Sequence, residues 1–139
     1  MIEIRELARD EMRTILPLVE AWNARIAPEV LAARLDEMLD EGYRCIAAYD
    51  GAELVGVGGF WIACRFWCGR HIDLDNLIVD ESRRNQGIGQ QMIAWLHEEG
   101  RRAHCEVAGL DTYLENTASH RLYERLGYEK IGYHYLKKL

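Results

Sequence analysis

The run Arg84-Asn85-Gln86-Gly87-Ile88-Gly89 has the composition of a phosphate cradle, and it falls between a segment patterned as a strand and one patterned as a helix. Glycines let the backbone approach a ligand closely, and the free N–H groups and dipole at a helix start attract an anion such as pyrophosphate. Arg83 and Arg84 can add charge-assisted bonds to phosphate oxygens. Gln90 continues the row of backbone amides. The run lacks the Lys-Ser/Thr ending of a P-loop and the spacing of a dinucleotide fingerprint, which argues against both nucleotide readings. Alone, it also reads as a plain Gly-rich turn from strand to helix.

A second run, from Asn116 to Tyr128, places Asn116, Ser119, His120 and Tyr123 on one face of a helix. Asn116 to Tyr123 spans about 10 Å of rise, enough to line an extended ligand arm with polar groups. The alternative is a capped amphipathic helix with a half-buried tyrosine.

Around these runs the pattern predicts an α+β fold. Ile2, Ile4 and Leu7 give a first strand, and Asp10 stands where it would cap a helix bearing Met12, Ile15, Leu16 and Val19, with Pro17 interrupting it. A second helix starts at Pro28 and stops at Gly42. Tyr43 to Tyr49, the turn Asp50-Gly51 and Glu53 to Ala63 read as a hairpin. Cys64 to Arg70 reads as the next connection, with Phe66 and Trp67 packed under the sheet or lining a pocket. The strand from His71 to Val79 alternates Asp73 and Asp75 with Ile72 and Leu74, then turns apolar on both faces at Leu77-Ile78-Val79, as a bulge or burial on both faces would explain. A crossover helix follows from Gly87 to Glu99, then a strand from Ala103 to Leu110, a helix from Asn116 to Leu126, and a last strand or hairpin from Tyr128 to Lys138. With no repeat or linker, residues 1–139 read as one domain: a mixed central sheet of six to seven strands flanked by about four helices.

The totals narrow the function classes. A domain of 139 residues can bury roughly two thirds of its unfolded surface without disulfides. Cys45, Cys64, Cys68 and Cys105 lack CxxC spacing and an accompanying His cluster, so no metal is expected, and they read as mostly buried thiols in a reducing, cytoplasmic compartment. The amino terminus carries no secretion signal, and no segment is apolar enough for a membrane span. A net charge of −6 argues against nucleic acid, whose binding rests on clustered Lys and Arg, and suits a cationic partner.

Together the two runs resemble the GNAT N-acetyltransferase family: Arg84-x-x-Gly87-x-Gly89 is similar to its coenzyme motif, and Asn116 through Tyr128 to its second motif. The run from Asp73 to Gly89, the His120-Arg121-Leu122-Tyr123 segment and the Lys-rich end look similar to the small-amine branch, which includes aminoalkylphosphonate acetyltransferases. The resemblance implies acetyl-CoA as cosubstrate and direct acetyl transfer to a primary amine of a small molecule. An aminoglycoside or protein-amine acetyltransferase is the alternative enzyme, and an acyl-CoA-binding sensor the alternative without turnover.

The resemblance also implies roles. Leu77, Ile78 and Val79 would bind the pantetheine amides through their backbone, with an N–H of Ile78 or Val79 facing the oxyanion. Arg84 to Gln90 would hold the pyrophosphate, and Asn116 and Ser119 would line the arm. Aminolysis of a thioester needs a base for the amine and an acid for the leaving thiolate. Tyr123 matches the family's tyrosine facing the coenzyme sulfur. Asp73 and Asp75 lie where the family often places a carboxylate, with Asp75 favoured as base. His71 and His120 have no assigned role, and Trp61, Phe66 and Trp67 form a candidate aromatic wall for a cationic amine. The resemblance further implies a homodimer, for which exposed edges of a final strand pair are the candidate interface.

Overall fold

In the computed structural model, which describes all 139 residues, the mixed sheet has six strands. They are β1 (Ile2–Glu6), β2 (Arg44–Asp50), β3 (Glu53–Arg65), β4 (Gly69–Leu74), β5 (Ile78–Val79) and β6 (Val107–Leu110). Strands β1 to β4 pair antiparallel in chain order, β6 joins β4 in parallel, and β5 pairs only with β3. Four α-helices cover the sheet: α1 (Leu16–Trp22), α2 (Pro28–Asp40), α3 (Ile88–Arg102) and α4 (Thr117–Arg125).

Alternation assigns the two faces. In β2, Ile46 and Ala48 join Ile72, Leu74 and the buried stripe Ile88, Met92, Ile93 and Leu96 of α3, while Cys45 and Ala47 join Leu35, Met12 and Ile15 on the α1/α2 side. The register between β2 and β3 shifts at Ala48/Tyr49. The extra residue reverses parity, so that Val55 faces α3 and Val57 faces α1 and α2. One ion cluster, centred on the buried Glu99, ties the layers. Glu99 of α3 accepts from Arg44 of β2 at 2.8 Å and also from Arg102, while Arg44 donates to Glu6 at 2.6 Å. Burial alone would raise the Glu99 pKa, but the two guanidinium groups hold it below the usual range.

Several expectations are corrected. Asp10 caps nothing: residues Arg9–Ile15 form a 3-10 helix behind Ala8, whose N–H donates to Glu11 at 2.8 Å, and Pro17 falls in the first turn of α1, where it is tolerated. The connection from Cys64 to Arg70 shrinks to three residues, because Cys64 and Arg70 are themselves a cross-strand pair. Its tip projects Phe66 and Trp67 into solvent, so neither lines a pocket or packs under the sheet. Of the four cysteines only Cys45 is buried. The strand expected from Ala103 begins at Val107, after His104 takes a left-handed turn at φ 60°. No strand forms from Tyr128 to Lys138: the segment keeps its alternation but meets no partner, and a strand without a partner has no ladder.

The bulge expected before Leu77 is present and shapes the molecule. Residues 75–77 interrupt the ladder between β4 and β5, and Asn76 there accepts a 2.6 Å hydrogen bond from the Tyr43 hydroxyl. Opposite them on β3, a Cβ on Gly59 would collide with both Asn76 Oδ1 and that hydroxyl. Gly59→Ala is therefore expected to destabilise the fold by about 1–3 kcal/mol through overpacking, read as a lower urea midpoint with an unchanged m-value.

Candidate active site

The sheet opens where the bulge lies. Strand β4 pairs with β6 as far as Leu74 opposite Leu110, and β5 then continues against β3 alone. The second edge of Ile78 and Val79 therefore has backbone groups free for a ligand, beside a gap where β4 and β6 part.

The chain leaves β5 directly into the cradle. Asp80 accepts from Ser82 N–H at 2.9 Å and starts a short 3-10 turn, after which Asn85 (φ 62°) and Gly87 (φ 78°) both take left-handed conformations. Gly87 stands at the N-cap of α3, where no side chain caps the helix and nothing lies within 4 Å of where a Cβ would be. The first amides of α3 thus face open space with an uncompensated dipole behind them, which is what an anion requires. Ile88 is buried as the anchor of this turn, Gly89 lies against Val79, and Asn85, Gln86 and Gln90 are exposed around it.

The two arginines separate. Arg83 is committed to the β2–β3 turn, donating to Asp50 at 2.6 Å and to Glu53 at 2.8 Å, so it is not free for phosphate. Arg84 is exposed, forms no ion pair, and lies over the Trp22 ring at 5.0 Å. Between α1 and the cradle is an open depression lined by Leu18, Ala21, Trp22, Asp80, Ser82 and Arg84.

The acid–base candidates occupy opposite faces. Asp73 alternates with Ile72 and Leu74, which point into the α3 layer, and is the cross-strand partner of Trp61, which packs on the α1/α2 side. Burial, then the Asp111 and Asp75 carboxylates, push the Asp73 pKa upward, with His71 two residues back offsetting part of this. Asp75 is exposed and held: it accepts from the Trp61 indole at 2.9 Å and from the Asn76 N–H at 2.8 Å. His71 is buried on the Asp73 face, its Nδ1 without a protein partner.

Tyr123 belongs to the other face, packed against the α3 cluster. Its ring meets Tyr128 edge-on at 5.8 Å, and Tyr128 is fixed to α3 by a 2.6 Å hydrogen bond between its hydroxyl and His97. Burial raises the Tyr123 pKa, and no protein group engages its hydroxyl. On the same helix the Asn116 side chain caps the first turn by accepting from Ser119 N–H at 3.3 Å, and His120 is bonded to the Tyr113 carbonyl at 2.8 Å. Asn116 and His120 are thus engaged in ordering the loop before α4. Cys45 is no nucleophile, since burial pushes its thiol up to about 11.

Asp111, Trp22 and the Tyr43–Asn76 pair were not legible as site residues. Only the register that places β6 beside β4 brings Asp111 to Asp73, and only the packing of α1 sets Trp22 under Arg84.

The sequence model of the Acetyltransferase (GNAT) family matches residues 1–128. An aminoalkylphosphonate N-acetyltransferase of Salmonella typhimurium is 36% identical over 73 residues, covering 52% of this chain and 46% of that protein. An acetyltransferase of Agrobacterium fabrum is 43% identical over 56 residues, covering 40% of this chain and 39% of its own length. The matched stretches thus span less than half of either relative. Among solved structures, an aminoglycoside N-acetyltransferase in complex with CoA superposes with a TM-score of 0.86 at 20% identity, covering 100% of this chain and 95% of that one, a likeness of fold.

The raised Asp73 pKa has a stability consequence. Its folded value lies above its unfolded one, so ionised Asp73 costs stability at neutral pH, and the cost disappears as pH falls through the folded value toward the unfolded one near 4. Asp73→Asn is expected to raise the thermal midpoint at pH 7 and to lose that advantage in acid, as measured by thermal melts between pH 4 and 8.

Proposed function

The chain belongs to the acetyltransferase (GNAT) family, and from that premise we propose that it is an acetyl-CoA-dependent N-acetyltransferase acting on a primary amine of a small molecule. One observation carries the reading: the uncapped N-terminus of α3, open at Gly87, follows β5, whose second edge is left unpaired by the sheet, while Asp73 and Tyr123 lie on opposite faces.

The residues present fit the coenzyme. The amides from Arg84 to Gln90 would hold its pyrophosphate, with Arg84 as the free cation, and the backbone of Leu77, Ile78 and Val79 would hold its amide-bearing arm. Bound there, acetyl-CoA supplies an acetyl group activated as a thioester. Asp73 takes a proton from the acceptor ammonium, directly or through water. Its raised proton affinity moves it toward that task, which favours it over Asp75, whose two hydrogen bonds suit it to binding the ammonium. An N–H of Ile78 or Val79 would be available to the acetyl oxygen. Tyr123, on the far face, would hold a proton on Oη for the departing sulfur; a phenol is protonated at neutral pH, and burial raises the Tyr123 pKa further.

Asp73, Asp75 and Asp111 lie close enough for their charges to interact, with Trp61 beside them. This acidic face favours an acceptor with more than one amino group, such as a polyamine or aminoglycoside, over an anionic one. We place the enzyme in the cytoplasm, where its four free cysteines stay reduced. No helix is long and apolar enough to cross a membrane.

The deciding experiment is thiol release from acetyl-CoA across polyamines, aminoglycosides, aminoalkylphosphonates and peptides with free amines. Saturable turnover with a polyamino acceptor is the expected result, and silence despite measured coenzyme binding would point to a sensor. Tyr123→Phe is expected to slow the chemical step by about 10²–10⁴-fold with coenzyme affinity nearly unchanged; equal single-turnover rates would remove its role as acid. Gly87→Val is expected to weaken coenzyme binding by about tenfold or more in calorimetry, since its side chain would occupy the phosphate space and strain a left-handed backbone.

A further inference from the structure

Trp22 is the large apolar side chain of α1 that no hydrophobic core accounts for. Leu16, Leu18 and Val19 pack from the same helix onto the cluster that contains Ile78 of β5, whereas Trp22 joins neither cluster and leaves 52% of its surface exposed. The backbone that carries it is fixed. Asn23 closes α1 by donating its side-chain amide to the Val19 carbonyl at 2.8 Å and its N–H to the Glu20 carbonyl at 3.1 Å, satisfying carbonyls that a helix end leaves free.

What the ring meets is the Arg84 guanidinium, 5.0 Å from its centroid and within reach of a cation–π contact. Asp80 and Glu81 line the same open depression, yet Arg84 pairs with neither. Asp80 is already occupied, accepting from the Ser82 N–H at 2.9 Å and from its hydroxyl at 2.6 Å. A guanidinium uses its flat face against an aromatic ring and its edge for hydrogen bonds, so the contact with Trp22 leaves the edge donors free for another group. A planar fork of this kind suits phosphate oxygens, and the open amides of α3 begin a few residues further along the same loop.

We propose that Trp22 is a positioning residue for the coenzyme: its ring holds the Arg84 guanidinium beside the cradle, so that a pyrophosphate seated on the α3 amides meets a cation already in place. The inference rests on the acetyl-CoA reading and adds to it a residue of α1 that lies outside both motif runs. The ring has two effects. It restricts a long side chain before the ligand arrives, which lowers the ordering cost of binding. It also keeps the guanidinium from settling on Asp80 or Glu81, where its charge would be cancelled. Because Leu18 and Val19 of the same helix pack with Ile78, the platform is built on the same packed unit as the open edge of β5.

The test is CoA affinity by calorimetry in a double-mutant cycle of Trp22→Leu and Arg84→Gln, with Trp22→Phe as the conservative variant. Trp22 is half exposed and outside both cores, so its variants are expected to keep their circular dichroism and thermal midpoint. Trp22→Leu is expected to weaken CoA binding about three- to tenfold, and Trp22→Phe to recover most of that loss. In the Arg84→Gln background, Trp22→Leu is expected to cost nothing further. A loss that persists undiminished in that background would mean that Trp22 acts without Arg84, and would overturn the proposal. Tighter binding by Trp22→Leu would show that the ring sequesters the arginine and would overturn it too. The same loss is expected with 3′-dephospho-CoA; a loss confined to CoA would assign Arg84 to the 3′-phosphate and not to the cradle, against the proposal. A full chain that binds no CoA overturns the coenzyme reading and this inference with it, whereas equal affinities of the full chain and Trp22→Leu overturn this inference alone.

Discussion

A strand can satisfy its backbone on two sides, and the fold depends on where one of those sides is left empty. The thirteen-residue β3 serves β4 along its outer half and β5 along its inner half, while β6 follows β4 alone. Residues 75–77 make the change possible, and the Tyr43–Asn76 hydrogen bond, fitted into the space left by Gly59, holds them in place. Without that interruption β5 would extend the ladder toward β6, and its backbone groups would be consumed by the sheet. The gap is thus the absence of one row of hydrogen bonds, maintained by close packing on the opposite strand.

Charge is distributed around that gap with a division of labour. Arg44, Glu6, Arg102 and the buried Glu99 form a cluster that joins β1, β2 and α3, where each charge has a partner. Arg83 plays a similar part at the base of the cradle, binding the turn after β5 to the turn between β2 and β3. Arg84, its neighbour, is left uncommitted. A phosphate site would benefit from this arrangement, because the loop is fixed by one arginine while another and the helix amides are left to supply charge.

The two faces of the sheet carry different chemistry. On the α1/α2 side, carboxylates and Trp61 surround the end of β4, and partial burial, then repulsion from Asp111 and Asp75, push the Asp73 pKa upward. On the α3/α4 side, a tyrosine is supported by Tyr128 and His97 and shielded enough to stay protonated. A reaction needing a base and an acid can use both only where the sheet is open, which ties proton chemistry to the break in the hydrogen-bond ladder.

Local signals were sufficient for most of the elements and for the glycine turn that opens α3. Gly87 and Gly89 before an amphipathic stripe, Pro28 at a helix start, Asn116 as a cap and the loss of alternation at Leu77 each express a preference of a few neighbouring residues, so they could be read along the chain. The family's motifs lie within such stretches, and the Arg84–Gly89 and Asn116–Tyr128 runs carry the resemblance by themselves. What pairing and packing decided was different in kind. That Asp111 reaches Asp73, that Arg83 is spent while Arg84 is free, that Phe66 and Trp67 stand in solvent, and that the tail from Glu129 finds no strand all depend on which distant segments become neighbours. Residue type and spacing determine what a segment can do; the contacts made by segments far apart in sequence determine which of those capacities remain unsatisfied, and therefore available for function.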